Sequence, residues 1–374
     1  MKLLPDDFET QLIKCSECGF CRPACPTLAI KMIESWGARG RNMIIKAVID
    51  GRLNVDEEVL KRLYSCALCK ACEVVCPSKV KVVDIMEIVR SKLTELELAP
   101  LKEHKEMIKT MFTTGNIFGE TLEFREIETS SSVETLLFPG CMAVIKNPEI
   151  KDACIKLLEK AGINFMVFED KNLCCGGYAK MLGAEKKFEE YAAKQAKKIF
   201  SLGIKQIVTP CPLCYTALKE DYPFDGKIKV THLSEILSDL LKSGKLKFTR
   251  KVNSTLVFKD PCHLGRWEQI YDPPRYVLSQ IPGAKIIEFT KNRENAQCCG
   301  GTIRIPFMDM RTEMSNKLVE DAENMGADLI VTSCPSCFFN ISSSAYFSDV
   351  KVVDLSILAA YASELIDELI IGGE

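Results

Sequence analysis

The chain has 374 residues, of which 47% are hydrophobic and 27% are charged, and its formal net charge is -2. This length allows about two or three domains, and the balanced charge excludes a strong polyanion-binding surface, so we expect no nucleic-acid partner. No apolar run reaches membrane-spanning length, and the start, MKLLPDDFETQ, is unlike a signal peptide.

The amino-terminal third contains two copies of one cysteine run. Residues 15–26 read CSECGFCRPACP and residues 66–77 read CALCKACEVVCP, each with the spacing C-x2-C-x2-C-x3-C-P. This is the bacterial ferredoxin pattern, in which three thiolates bind one 4Fe-4S cubane and the fourth binds the other. A pair of four-cysteine zinc sites is the alternative, but zinc motifs use separated C-x2-C pairs. We predict two cubanes, with ligands Cys15, Cys18, Cys21 and Cys76 for the first and Cys66, Cys69, Cys72 and Cys25 for the second.

Helical patterns surround these two motifs. The segments between them, and the stretch VVDIMEIVRSKLTELELAP after them, repeat apolar residues at helical spacing, with Pro100 as a stop. Residues 1–100 are therefore predicted to form a helical ferredoxin domain. The arginines of WGARGR at 36–41 could face a partner or the clusters, but a solvated turn is the favoured interpretation. Residues 101–133 become polar and glycine-dotted, which predicts a linker.

From residue 134 the sequence repeats itself with a period of roughly 123 residues. TLLFPGC matches STLVFKDPC, CCGG occurs twice, and IVTPCPLC matches IVTSCPSC. Each copy is predicted to run strand, helix, strand, double cysteine, helix, strand, C-P-x-C, helix, which indicates a mostly parallel sheet. We place the copies at 134–248 and 249–374. The predicted fold class is α+β multidomain: an all-α two-cluster ferredoxin domain followed by two repeated α/β domains.

Each copy supplies five cysteines, in loops that follow predicted strands. Adjacent cysteines make a poor disulfide, since Cα atoms across a trans peptide are about 3.8 Å apart and bridges favour roughly 4.4 to 6.8 Å. A thioredoxin-like C-x-x-C uses only two sulfurs, and a zinc site uses four. Five sulfurs therefore favour an iron-sulfur cluster that is larger or more open than a cubane. The ten residues are Cys141, Cys174, Cys175, Cys211 and Cys214 in the first copy, and Cys262, Cys298, Cys299, Cys334 and Cys337 in the second.

Glycines and one further cysteine complete this pattern. The pairs at 176–177 and 300–301 would let backbone approach a cluster and would offer N–H donors to sulfur, although tight turns alone are the alternative. Cys154 lies in a helical pattern and is predicted to be a small core residue. Nineteen cysteines in such motifs favour metal ligation in a reducing cytoplasm over a disulfide framework.

The duplicated pattern over residues 134–345 resembles the CCG domain family, the cysteine-rich domain of heterodisulfide reductase. With the two-cluster ferredoxin in front, nearly the whole chain is similar to the heterodisulfide reductases in which two otherwise separate subunits are fused. The resemblance implies one noncubane 4Fe-4S cluster in each CCG domain that retains all five cysteines, as both do here. Iron-sulfur subunits of glycerol-3-phosphate, glycolate and lactate oxidising systems share the architecture and only pass electrons.

The resemblance implies reduction of the coenzyme M–coenzyme B disulfide to two thiols, the closing step of methanogenesis, at the ten CCG cysteines. The cubanes would relay single electrons. Because the sequence has no G-x-G-x-x-G and no C-x-x-C-H motif, we expect an electron-donating subunit, either a flavoprotein or a membrane cytochrome b. We predict a cytoplasmic protein that meets a membrane only through that partner. The alternative is an electron-relay subunit of a glycerol-3-phosphate, glycolate or lactate dehydrogenase-type complex.

Disulfide reduction also needs protons and a way to hold the coenzymes. His263, directly after Cys262, is the candidate proton donor, and a histidine that is merely hydrogen-bonded near the cluster is an equally good interpretation. Arg266, Arg304 and Lys180 could hold the sulfonate and phosphate groups, but solvated surface charge is the favoured interpretation for each.

Overall fold

The computed structural model of the chain describes residues 3–122, 133–303 and 305–372. The amino-terminal part of this range is helical, as predicted, with no strand among its described residues. Its helices are short because the two cysteine runs interrupt them with extended loops. They are α1 (Asp6–Ile13), α2 (Pro26–Lys31), α3 (Ala38–Ile49), α4 (Glu57–Tyr64), α5 (Ala71–Val74), α6 (Val82–Glu95) and α7 (Lys102–Thr114).

The prediction of a linker is wrong for the start of residues 101–133, because α7 lies there. Its residues His104, Ile108 and Met111 recur at helical spacing and are buried. Gly115 ends the helix with a φ of 74°, a left-handed conformation that glycine adopts without strain. Residues 123–132 of the predicted linker lie outside the described residues.

The prediction of a solvated turn at WGARGR is wrong for Arg41, which lies on α3 with only 1% of its surface exposed. Its guanidinium donates to the carbonyl of Arg62 at 2.6 Å and to the hydroxyls of Thr27 and Ser65 at 2.9 and 2.8 Å. A buried cation is tolerated when such acceptors replace water. Arg41 therefore ties α2, α3 and the end of α4 together.

Each of the two following modules contains a four-stranded sheet in which all strands are parallel, as predicted. The strand orders are β2-β1-β3-β4 and β6-β5-β7-β8, so the first strand of each module is central. The strands are β1 (Thr135–Leu137), β2 (Phe165–Val167), β3 (Gln206–Thr209), β4 (Lys229–His232), β5 (Thr255–Lys259), β6 (Lys285–Glu288), β7 (Leu329–Thr332) and β8 (Lys351–Asp354).

The fourth strand of each sheet was missed by the sequence reading. β4 and β8 are four residues long and run directly into the next helix, so no turn separates the two patterns. The register is unambiguous: Leu136 pairs with Met166 on one side and Ile207 on the other, and Val257 pairs with Ile287 and Ile330.

Helices connect and cover the strands of both sheets. Short π-helical turns follow three of the cysteine-bearing loops, at Met142–Lys146, Ala217–Asp221 and His263–Trp267. In the described ranges, no helix is long and apolar enough to cross a bilayer. The helices are α8 (Pro148–Lys160), α9 (Gly177–Met181), α10 (Glu185–Ser201), α11 (Pro212–Thr216), α12 (Leu233–Lys242), α13 (Asp272–Ser279), α14 (Met308–Asn324), α15 (Pro335–Ser344) and α16 (Leu355–Ala362).

The two modules pack through equivalent pairs of helices. Helix α8 of the first module packs against α16 of the second, and α13 of the second packs against α12 of the first. Because α8 and α13 each join the first two strands of their sheets, and α12 and α16 each follow the fourth, the two contacts are related as in an isologous dimer. One continuous hydrophobic core runs through this contact, and Cys154 is fully buried in it, as predicted.

Equivalent positions also start the two helices that follow the fourth strands. His232 caps α12 by accepting a hydrogen bond from the Ser234 backbone N–H, and Asp354 caps α16 by accepting one from that of Ser356. Burial lowers the pKa of His232 to about 4, which keeps its accepting nitrogen unprotonated, and burial raises the pKa of Asp354 to about 7.

A cysteine-lined candidate active site

The two cysteine runs of the helical module form two neighbouring groups. The loop from Cys15 to Cys21 folds around a pocket that Cys72 and Cys76 also line. Two residues of this loop, Glu17 and Gly19, adopt positive φ, which curls the backbone around the pocket. Within this group Cys18 is exposed, whereas Cys15, Cys21 and Cys76 are partly buried.

The second group lies deeper in the helical module. Burial, followed by the charges of Cys66, Cys69 and Cys25, raises the pKa of Cys72 well above its ordinary value. The four thiols of this group are therefore close neighbours. Arg41 lies beside them, with a guanidinium nitrogen 3.9 Å from the Cys25 Sγ. The two runs thus lie together in space, with Cys76 of the second run in the pocket of the first, and the assignment of each cysteine to one of two cubanes stays a prediction.

All ten cysteines of the two α/β modules line a single cavity. Every one follows a strand, and the equivalent packing of the modules turns the carboxyl ends of both sheets toward the same space. The cavity encloses about 780 Å³ of empty space, including some that is open to solvent. Nothing in the sequence pattern required the two sets to share one cavity, since each module could have faced its own.

The glycines beside the cysteines fit a sulfur-ligated cluster. Gly176 and Gly300 each donate a backbone N–H to the Sγ of Cys174 and Cys298 respectively, both at 3.4 Å, which confirms the predicted donors to sulfur. A Cβ on Gly140 would lie only 2.7 Å from the Cys214 Sγ. Bare backbone therefore leaves room around these sulfurs that a side chain would fill.

The donor set is made of soft sulfurs held close together. The Sγ atoms of Cys141 and Cys174 are 3.8 Å apart, and those of Cys299 and Cys337 are 3.2 Å apart. The hydrogen bonds among these thiols lower the pKa of Cys175, first through Cys174, and help to raise the pKa values of Cys174 and Cys214, so Cys175 is the thiol of this group that ionises most readily. In the described part of the chain, no three His, Cys, Asp or Glu side chains are placed as ligands of one metal ion.

The second cysteine set differs from the first by a buried lysine that sequence reasoning missed. Lys259 ends β5 with 2% of its surface exposed, and its Nζ donates to the Cys337 Sγ at 3.2 Å. In the first module the equivalent position, directly after the phenylalanine that follows the matching strand residues, is Pro139. The available signal was the lysine directly after the apolar run LVF in STLVFKDPC, which resembles an ordinary strand end.

His263 lies at the boundary between the cysteine cavity and a second, more polar pocket. Its Nδ1 is 3.4 Å from the Cys262 Sγ, and its ring stacks on Trp267 with centroids 5.0 Å apart. The buried Nε2 has no hydrogen-bond partner among the described residues. The polar pocket beyond it is lined by Lys70, Lys180 and Lys219, together with acidic residues.

The three basic residues considered as anion holders have different surroundings. Arg266 is 5% exposed, so surface charge is the wrong interpretation for it; its guanidinium donates to the carbonyls of Cys69, Glu294 and Ala296. Lys180 is partly buried and forms an ion pair with Asp221 at 2.5 Å, beside the polar pocket. Arg304 lies outside the described residues.

The helical module is fastened to the second α/β module next to these cysteines. Besides Arg266, Trp267 donates to the carbonyl of Leu68 at 3.0 Å, and Thr302 donates to that of Ala67 at 2.7 Å. Cys298 of the second cysteine set also lines a pocket together with Cys25 of the helical module. The loop around Cys69 therefore lies beside the second cysteine set.

Comparison with known families agrees with this division of the chain. Residues 11–80 match the 4Fe-4S dicluster domain. Residues 135–219 and 256–342 match the CCG family, described as the cysteine-rich domain. The first match contains all eight cysteines of the helical module, and the other two contain all ten cysteines of the cavity.

Relatives and a solved structure extend the similarity over the whole chain. A relative described as a subunit of dihydromethanophenazine:CoB–CoM heterodisulfide reductase, from Methanosarcina barkeri, is 28% identical over 94% of this chain and 94% of its own length. The EtfAB:quinone oxidoreductase of Syntrophomonas wolfei is 30% identical over 60% of this chain and 33% of its own. A hypothetical protein from Helicobacter pylori shares the fold, with a TM-score of 0.61 at 11% identity over 97% of this chain and 74% of that one.

Proposed function

We propose, from the premise that this chain belongs to the heterodisulfide reductase-like iron-sulfur oxidoreductases with duplicated CCG domains, that it is the subunit that reduces the disulfide of coenzyme M and coenzyme B. The observation that carries the proposal is the single cavity that both complete five-cysteine sets line. The reaction breaks one S–S bond, consumes two electrons and two protons, and gives two thiols. Two cysteine sets that line the same cavity would provide a separate binding place for each of the two sulfurs of the cleaved disulfide.

The four predicted iron-sulfur clusters, two cubane and two noncubane, would supply single electrons and, at the noncubane pair, open iron for sulfur. The chain itself supplies the enclosure. The cavity walls between the cysteines are largely apolar, from Ile117, Met142, Leu213 and Tyr178, and they limit the access of water to the sulfurs.

The cavity adjoins the polar pocket at His263 and Leu213, which line both. Three lysines line that pocket: Lys180 is paired with Asp221, Lys219 with Glu268, and the Lys70 Nζ lies 3.8 Å above the Trp267 ring. A disulfide that carries a sulfonate and a phosphate is attracted by such ammonium groups. We therefore propose this pocket as the route by which the substrate reaches the cysteines.

His263 is the residue we propose to hold a proton for the departing thiolates. It is buried, it lies between the pocket and the cavity, and its Nε2 has no partner among the described residues, so this nitrogen is available to a bound molecule. Stacking on Trp267 fixes the plane of the ring. A side chain held in this way can donate to a sulfur that forms beside Cys262.

Electrons would arrive through the helical module from a donor subunit, a flavoprotein or a membrane cytochrome b. Cys18 is exposed, so the first cysteine group reaches the molecular surface, whereas the second group lies beside the second cysteine set, where Arg266 donates to the Cys69 carbonyl. The two groups thus lie in series between the surface and the proposed reaction site.

A second candidate is an electron-relay subunit of a dehydrogenase-type complex. The similarity to an EtfAB:quinone oxidoreductase supports it, because that relative shares part of the architecture under a different activity. An assay of the anaerobically purified protein with reduced viologen as the electron donor distinguishes the two candidate functions. Oxidation of viologen that depends on the mixed coenzyme disulfide supports the reductase, whereas activity found only in a complex that oxidises lactate, glycolate or glycerol phosphate supports the relay.

A further inference from the structure

Lys259 is a buried cation whose side chain has sulfurs in place of a carboxylate partner. Its Nζ donates to the Cys337 Sγ at 3.2 Å, and its charge also acts on Cys299, Cys262 and Cys298. Within the described residues, Lys259 forms no ion pair. The carboxylate of the next residue, Asp260, is occupied by Arg275, which donates to both of its oxygens at 2.7 and 2.8 Å.

This arrangement is costly unless the cysteine set carries negative charge. An ammonium that leaves water loses its hydration, and a neutral thiol is too weak an acceptor to replace it. Thiolates bound to a cluster would supply the missing counter-charge. The position of Lys259 is therefore itself an argument for a negatively charged group at the second cysteine set.

The first cysteine set lacks this feature although the two modules are otherwise equivalent. At the matching end of β1 the chain reads Phe138, Pro139 and Gly140, so the strand end itself supplies no cation to the first set. Lys180, which follows the paired cysteines of the first module by five residues, is paired with Asp221. In the second module the buried Arg266 adds a further positive charge next to Cys262 and Cys298.

We propose that Lys259 makes the second cysteine set, once it holds its cluster, easier to reduce than the first, an inference that rests on the proposed function. A fixed ammonium and an N–H···S hydrogen bond both stabilise the more negative, reduced state. The same set lies beside the predicted cubane relay, because Arg266 donates to the Cys69 carbonyl and Cys298 lines a pocket together with Cys25, so the more easily reduced centre would adjoin the relay. The two modules then share a fold but differ in the order in which they accept electrons.

The test is a redox titration of the anaerobic, iron-loaded full chain, followed by electron paramagnetic resonance. Cys175→Ser and Cys299→Ser assign each noncubane signal to its module. In the wild type, we expect two midpoints, with the higher one belonging to the signal that Cys299→Ser alters. Lys259→Met should lower the reduction equilibrium constant of that centre by about tenfold, which is 59 mV for one electron, and leave the other unchanged.

Two control variants isolate the charge. Lys259→Arg keeps a buried cation and should keep the higher midpoint, whereas Lys205→Met removes an exposed lysine of the first module, paired with Glu134, and should change neither midpoint. Equal wild-type midpoints, or a Lys259→Met protein with full iron and an unchanged midpoint, would overturn the inference and leave the proposed function intact. If the Lys259→Met protein loses its iron, the two midpoints of the wild type are compared instead. A midpoint of the second cysteine set that is not the higher one would then overturn the inference. The lack of any noncubane signal in the wild type would instead overturn the proposed function.

Discussion

The guanidinium of Arg266, in the second cysteine-rich module, donates a hydrogen bond to the backbone carbonyl of Cys69, in the helical module. This contact joins residues 197 positions apart in the sequence, and on the same side of the molecule Cys25 of the helical module and Cys298 of the second cysteine set line one pocket. The proposed electron relay and the proposed disulfide chemistry would therefore be adjacent, which makes it possible to separate them by mutation.

Removal of one cysteine from the exposed cysteine group of the helical module and of one from the second cysteine set should give different defects. Cys18→Ala affects the exposed end, where electrons arrive, whereas Cys299→Ala affects the proposed reaction site. With electrons from a small viologen that can reach the cavity, we expect the loss of disulfide reduction to be larger for Cys299→Ala. Steady-state rates measured at equal protein concentration check this. A fully active Cys299→Ala protein would remove the catalytic assignment, and equal losses would mean that viologen donates only through the helical module.

Metal content follows from the number of ligands. Eight cysteines for two cubanes and ten for two noncubane clusters predict about sixteen iron atoms per chain, with matching acid-labile sulfide and negligible zinc. Elemental analysis of anaerobically prepared protein measures this directly. About twelve irons with one stoichiometric zinc would make one module a structural metal site. A mechanism in which each set accepts one sulfur would then fail.

His263→Gln should separate proton delivery from electron delivery. Glutamine retains a hydrogen-bond donor beside Cys262 but is a poor proton donor, so we expect turnover to fall by about a hundredfold, as is typical for the loss of a general acid. Reduction of the clusters by viologen, followed by stopped-flow absorbance without substrate, should be unchanged. Turnover within a few-fold of the wild type would instead favour the interpretation of His263 as a structural neighbour of the cluster.

His232 should make the first module sensitive to acid. Burial lowers its pKa to about 4 from an ordinary value of 6.5, so in this range the unfolded chain binds a proton that the folded chain does not. Stability should therefore fall as the pH drops from 6.5 toward 4, by up to about 1.4 kcal/mol per pH unit. His232→Asn keeps a capping acceptor for Ser234 but does not titrate.

The thermal unfolding midpoints of both proteins at pH 7 and pH 5, measured anaerobically, test this linkage. The variant should lose less stability than the wild type between the two values. Identical losses would show that other groups, rather than His232, dominate the acid response of the protein.

The order of the first three strands of each module and their helices could be predicted because the cysteine motifs fall at strand ends and the repeat shows the same pattern twice, whereas β4 and β8 carry no cysteine motif and were not predicted. The shared cavity could not, because it depends on how α8 packs on α16 and α12 on α13, and these faces look like ordinary amphipathic helices in the sequence. Burial of Arg41 and Arg266 was missed for a related reason. Solvent exposure of a long cationic side chain depends on acceptors elsewhere in the fold, such as the carbonyl of Cys69, which is 197 residues from Arg266.

Direct binding of substrate sulfur tests the central claim that this chain carries the reaction site. The oxidised, iron-loaded protein is mixed with coenzyme M or coenzyme B alone, and electron paramagnetic resonance spectra are recorded with natural and sulfur-33 thiol. We expect a new signal from the cysteine-rich modules that broadens with sulfur-33 and disappears in Cys299→Ala, while the cubane signals stay unchanged. Spectra that are the same with and without either thiol would contradict the assignment and would identify the chain as an electron relay.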